Sequence, residues 1–187
     1  MKNTLKVYLN SLGCVRNLVD SEIMLGDLIA GGFSPTRNAV EADVIVVNTC
    51  GFIETAIEES IDAILELSEF KKTGSCQRLI VAGCLPERFR EELAASLPEV
   101  DAFLGTGAYH QILSAARGND NNVKYLLPTP ASHPLQRAET RRIPSTSPLA
   151  YLKVAEGCDR HCTYCVIPKL RGGLRSRLLE DVAAEAG

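Results

Sequence analysis

The chain has no tryptophan, only 5% aromatic residues, and no apolar run long enough to cross a bilayer. A spanning helix needs about 20 consecutive apolar residues, so that class is excluded and no membrane partner is expected. No secretory leader is expected, because Met1-Lys2-Asn3-Thr4-Leu5-Lys6 leads directly into a strand-like pattern with no hydrophobic signal core. The expected location is the cytoplasm. No internal repeat is present, which removes repeat architectures. What remains, at 45% apolar and 23% charged residues, is the composition of a soluble globular protein. Its 187 residues suffice for one ordinary domain and part of another.

Seven cysteines stand out against this background. Reducing cytosol disfavours disulfides, and an odd number pairs poorly, so cysteines that are not simply buried become candidates for metal binding or catalysis. Charge is uneven as well. Residues 1–135 hold 11 Lys+Arg and 17 Asp+Glu, whereas residues 136–177 hold 9 Lys+Arg and 3 Asp+Glu. The basic stretch suits an anionic cofactor or contact with RNA or the ribosome, and equally a solvated linker with ordinary surface arginines.

The first part of the chain alternates between two periodicities. Strands are predicted over Lys6–Leu9, Val44–Val47, Leu79–Ala82 and Ala102–Leu104; the second and third are continuous apolar runs, as buried parallel strands require. Helices are predicted over Leu18–Ala30, stopped by Gly31-Gly32, over Ile53–Phe70, over Arg88–Leu97 after Pro86, and over Tyr109–Arg117, ended by Gly118. Strands alternating with helices predict a flavodoxin-like, doubly wound α/β fold of about five parallel strands for residues 1–118. A proline-rich connection is expected over 119–148. From 149 to 187 a second domain begins with a strand at Leu149–Val154 and a helix from Leu178. About forty residues cannot build a core of their own, so the chain reads as part of a longer protein.

Cys158, Cys162 and Cys165 form C-x3-C-x2-C in a short loop. Three converging thiolates suit an iron–sulfur cluster or zinc. Three ligands leave one iron of a four-iron cluster open to chelate S-adenosylmethionine, and the spacing differs from that of bacterial ferredoxins. A Cys3His zinc site would need His161, which adjoins Cys162 and reaches the same ion with difficulty. Cys14, Cys50 and Cys84 each lie just past a predicted strand and beside a glycine. The carboxyl ends of parallel strands line one crevice, so these three are candidates for a second cluster, the alternative being that they are small buried hydrophobes. Cys76 is expected at the other end of the sheet as a non-ligand.

Ser11-Leu12-Gly13-Cys14, Asn17-Leu18-Val19-Asp20-Ser21-Glu22, Asn48-Thr49-Cys50-Gly51-Phe52-Ile53, Ala82-Gly83-Cys84, the C-x3-C-x2-C loop and Arg171-Gly172-Gly173-Leu174-Arg175-Ser176-Arg177 resemble the methylthiotransferases among the radical S-adenosylmethionine enzymes. The closest likeness is to the RimO-type branch, which modifies an aspartate of a small-subunit ribosomal protein. Val15-Arg16 departs from the Pro-Lys common there but keeps a cation. The resemblance implies two [4Fe-4S] clusters, one on Cys158, Cys162 and Cys165 that cleaves S-adenosylmethionine, and an auxiliary one on Cys14, Cys50 and Cys84 that handles sulfur. It implies an electron-donor protein as partner and the first part of a (β/α) barrel after residue 149. These 187 residues alone are expected to fold the first domain without turning over.

Tyr164, just before the third cysteine, and Arg175 are the candidate cofactor contacts. Arg171, Arg175 and Arg177 suit carboxylates or phosphates, or else a surface turn. Asn17 and Asp20 are expected to cap the first helix. Asn48 and Thr49 either orient the auxiliary site or form a turn. Two other functions fit the same motifs: methylthiolation of a tRNA base, and a non-enzymatic iron–sulfur carrier or electron-transfer module.

Overall fold

A computed structural model describes residues 4–118, 124–130, 135 and 148–186. The predicted alternation appears as β1 (Lys6–Ser11), α1 (Val15–Ala30), β2 (Ser34–Pro35), β3 (Val44–Thr49), α2 (Glu54–Ser68), α3 (Phe70–Thr73), β4 (Arg78–Gly83), α4 (Cys84–Ser96), β5 (Ala102–Leu104), α5 (Ile112–Arg117) and β6 (Tyr125–Leu126). The strands form one sheet in the order β2-β1-β3-β4-β5-β6, and every pairing is parallel. The doubly wound α/β expectation is borne out. The sheet has six strands where about five are expected: beyond the four predicted ranges it gains β2 and, from within the proline-rich stretch, β6. Asn119–Asn122, Pro134 and Pro144 lie outside the described residues.

Alternation along the central strands builds a core on each face. Val44, Val46, Ile80, Ala82 and Leu104 pack with Met24 and Leu28 of α1 and with Ile112 of α5. Ile45, Val47, Leu79, Val81 and Phe103 pack with Ile64 and Leu67 of α2 and Leu93 of α4. Burying each of these larger side chains contributes about 1.5–3 kcal/mol, enough to fix the register. That register pairs Ser11 with Asn48 and Thr49 with Gly83, so β1, β3 and β4 end close together.

The order of strands reverses between β1 and β3, since β2 lies outside β1 and the later strands extend the other way. Such a switch point opens a crevice at the strand carboxyl ends.

The first helix begins at Val15, not Leu18. Apolar periodicity starts only at Leu18 because the preceding turn faces a cavity rather than the core. Leu18 N donates to Cys14 O at 3.1 Å, closing that turn.

Beyond residue 148 the chain forms β7 (Ala155–Glu156), α6 (Ile167–Arg171), β8 (Arg175–Ser176) and α7 (Leu179–Ala186), with β7 and β8 antiparallel. The expected strand at Leu149–Val154 is not there. Leu149, Tyr151, Leu152 and Val154 are exposed, and among the described residues the available partner, β8, pairs only with Ala155–Glu156. A strand-like composition without a neighbouring strand does not make a strand. No described helix is long and apolar enough to cross a membrane.

Candidate metal centre at the strand carboxyl ends

Cys14 occupies the N-cap position of α1, Cys50 directly follows β3, and Cys84 is the first residue of α4 after β4. All three line one cavity of about 520 Å³, walled by Phe52, Ile53, Ile167 and Leu170 among others. Its size is that of a small-ligand site. Cys14 is exposed at the mouth, while Cys50 and Cys84 are buried. Glycines permit this approach. A Cβ on Gly13, at φ +85°, would lie 2.7 Å from Cys50 Cβ. One on Gly83, at φ +103°, would lie 2.6 Å from Thr49 O. Neither separation is tolerable for a side chain.

Hydrogen bonds fix the cysteine loops. Ser60 Oγ accepts from Cys50 N at 3.2 Å, and its hydroxyl donates to Ala56 O at 2.7 Å, with Cys50 O also within reach at 3.1 Å. Arg88 Nη1 donates to Gly51 O at 2.6 Å. Asn17 Nδ2 donates to Thr49 O at 2.8 Å and Leu12 O at 3.0 Å, tying the first two loops together. Asn48 Nδ2 donates to Asn17 O at 2.8 Å, and Thr49 Oγ1 to Ala82 O at 2.7 Å. Asn48 and Thr49 are thus the buried end of β3, and their side chains brace the site; they do not form a turn.

Asn17 and Asp20 are not caps. Both lie inside α1 and are buried, and the Cys14 N-cap makes no side-chain cap bond. Arg171, 3% exposed, reaches them from α6. Its Nη1 donates to Asp20 Oδ2 at 2.6 Å and to Glu156 Oε2 at 3.3 Å. Its Nη2 donates to Asn17 Oδ1 at 2.5 Å and to Cys84 Sγ at 3.4 Å. Lys153 bonds Asp20 as well, and Glu156 at 2.9 Å. Two cations and two carboxylates therefore balance in a buried cluster.

Burial pushes the Asp20 carboxyl up, but Lys153 and Arg171 outweigh burial and hold it below the ordinary carboxylate range. Burial works to lower the Arg171 pKa, and its acidic surroundings reverse this, so the guanidinium stays charged. The surface-turn alternative therefore fails for Arg171. It fails for Arg177 too, which is buried, bonds Glu185 and donates to Lys153 O at 2.9 Å.

Lys153, Glu156, Ser60 and Arg88 carry no local sequence signal for these roles. Asp20 offered one, since a carboxylate deep in an amphipathic helix needs a partner.

The second trio lies in the loop between β7 and α6. Cys158 and Cys165 are half-buried and Cys162 is exposed. Cys158 N donates to Gly172 O at 3.0 Å, Cys165 N to Cys162 O at 3.1 Å, and Leu174 N to Asp159 Oδ1 at 2.7 Å. The Arg171–Arg177 stretch thereby backs the cysteine loop. Tyr164 is 84% exposed, and Arg175 Nη2 donates to Pro130 O at 3.0 Å. Cys76 is buried in the apolar layer before β4, at the opposite end of that strand from Cys84. Among the described residues, no group of three or more His, Cys, Asp and Glu side chains converges on a point that could hold a single metal ion. At the strand ends the thiols are spread around a cavity, a donor set that fits a polynuclear centre with thiolate ligands.

A family model described as Uncharacterized protein family UPF0004 matches residues 6–105, the stretch from β1 to β5 that holds Cys14, Cys50 and Cys84. The chain belongs to this family. It is 54% identical over 183 residues to a protein of Desulfosudis oleivorans named ribosomal protein uS12 methylthiotransferase RimO, covering 97% of this chain and 42% of that one. Proteins of the same name from Anaeromyxobacter sp. strain Fw109-5 and Myxococcus xanthus are 54% and 50% identical, with 98% and 96% of this chain and 38% and 37% of theirs covered. The chain spans about two fifths of the length of these curated relatives. Their names bear out the resemblance to the RimO-type methylthiotransferases.

Proposed function

We propose that these residues form the cluster-binding part of a cytoplasmic methylthiotransferase that modifies the β-carbon of an aspartate in ribosomal protein uS12. The observation carrying this reading is the meeting of three thiols from three separate strand ends in one apolar-walled cavity. Residues 1–118 would be the auxiliary-cluster domain, 119–148 its connection apart from β6, which belongs to the sheet, and 149–187 the start of the radical domain. Cys14, Cys50 and Cys84 would hold one [4Fe-4S] cluster, and Cys158, Cys162 and Cys165 the other. When bound, the two clusters and S-adenosylmethionine supply the one-electron and sulfur chemistry that acid–base groups cannot deliver at an unactivated C–H bond.

The chain's own residues prepare the site. Ser60 and Arg88 fix the Cys50 loop, Asn17 joins it to the loop before Cys14, and Phe52 and Ile53 give the cavity an apolar wall. Arg16 at the mouth gives a cation to an incoming carboxylate. Tyr164, exposed beside Cys165, presents a ring face to a nucleoside. An electron-donor protein and contact with the ribosome complete the expected partners.

The test uses anaerobically reconstituted full-length protein. Iron and sulfide content is measured for the wild type, Cys14→Ala and Cys158→Ala, and each variant should lose a separate share. Methylthio incorporation is then followed on uS12 and on bulk tRNA. Product on tRNA alone would sink the substrate assignment, and full iron in Cys14→Ala would remove the auxiliary cluster. S-adenosylmethionine that left the electron paramagnetic resonance of the reduced protein unchanged would favour a carrier.

A further inference from the structure

Arg171 links the two cysteine sets directly. It ends α6, six residues after Cys165, and its guanidinium reaches Cys84 Sγ on the other side of the interface, 3.4 Å from Nη2. Its orientation is fully determined by its partners. Asp20 and Glu156 hold Nη1, while Asn17 Oδ1, 2.5 Å from Nη2, turns the other arm towards the sulfur. A planar fork fixed at both ends cannot swing away as a lysine could.

On the reading that Cys84 is a cluster ligand, we propose that Arg171 is a positioning residue that raises the reduction potential of the auxiliary cluster through an N–H···S hydrogen bond to Cys84. A donor on a ligating sulfur withdraws electron density from it and so favours the reduced cluster, which carries one more negative charge. Burial strengthens the interaction. Asp20 and Glu156 balance the cations around them, so the effect rests on the directed N–H and not on net charge. The donor also comes from the far segment. The auxiliary cluster has its working potential only while α6, which follows the Cys158–Cys165 loop, is docked against it, which couples the two sites without a ligand passing between them.

The experiment uses full-length protein carrying Cys158→Ala, Cys162→Ala and Cys165→Ala, so that one cluster alone contributes signal. Its midpoint potential is measured by redox titration followed by electron paramagnetic resonance, with and without Arg171→Met and Arg171→Lys. Arg171→Met should shift the potential to more negative values, and Arg171→Lys should recover only part of the shift. An unchanged potential in Arg171→Met at equal iron content overturns the proposal. Should Arg171→Met lose its cluster, the parent protein labelled with 15N-arginine decides. A 15N hyperfine coupling to the reduced cluster supports the hydrogen bond, and its absence overturns it. A parent protein that binds no iron removes the cluster reading itself, and the proposal with it.

Discussion

Asp20 and Arg171 are 151 residues apart in sequence and 2.6 Å apart in space, carboxylate to guanidinium, with both side chains buried. The pair joins α1 of the sheet domain to the helix that follows the second cysteine loop. Among the described residues, Asp20 also takes the Lys153 ammonium, so one carboxylate holds two cations from the later segment.

Removing that carboxylate should release the segment without unfolding the sheet. Breaking one partner of a buried pair costs roughly 3–5 kcal/mol, because the other is left charged and unpaired. Asp20→Ala is therefore expected to raise hydrogen exchange across residues 151–177 while exchange in β3 and β4 stays slow. Uniform loss of protection in both regions would mean that the bridge supports the sheet as well.

Acid should erase the same difference. The Asp20 carboxyl titrates lower in the folded protein than its unfolded value of about 3.9. The stabilisation is thus complete above that unfolded value and disappears as pH falls through the folded one. The stability gap between wild type and Asp20→Asn should be constant from pH 7 to about 5, narrow below about 4, and close at lower pH. Urea unfolding at each pH measures it, and a gap that widened on acidification would contradict the sign.

The parts of this protein that sequence alone reveals are those governed by local rules. Val44–Val47 and Leu79–Ala82 had to be central strands because only a sheet covered on both faces buries continuous apolar runs. Cys14, Cys50 and Cys84 could then be placed at one crevice from topology. Ser34–Pro35 and Tyr125–Leu126 left no such trace, because a two-residue edge strand is held by its neighbour's backbone and needs no pattern. Leu149–Val154 misled for the converse reason, having strand-like residues and no partner. The buried bridge was hidden because its charges come from α1, β7, α6 and Lys153, and nothing local marks a pair so far apart.

Gly83 offers a test of the close packing behind Cys84. A Cβ there would sit 2.5 Å from Asn48 Oδ1 and 2.6 Å from Thr49 O, and the backbone is at φ +103°. The Thr49 carbonyl belongs to β3 and cannot move aside. Gly83→Ala is expected to cost on the order of 2–4 kcal/mol from strain and overlap. Ser60→Ala should cost less, about 1–3 kcal/mol, by leaving Cys50 N without its side-chain acceptor. Thermal unfolding of the two variants should rank them in that order.

Arg16 offers a test of the proposed aspartate substrate. It lines the cavity beside Cys14 and Phe52, and among the described residues it makes no ion pair or side-chain hydrogen bond. A charge-assisted bond to a carboxylate contributes about 1.5–3 kcal/mol, which is a factor of ~10–150 in affinity. Full-length Arg16→Gln should bind a peptide bearing the target aspartate at least about tenfold more weakly, with Arg16→Lys close to wild type. Replacing that aspartate by asparagine in the peptide should weaken wild-type binding and leave Arg16→Gln unaffected. Equal losses in both proteins would show that the carboxylate is read elsewhere.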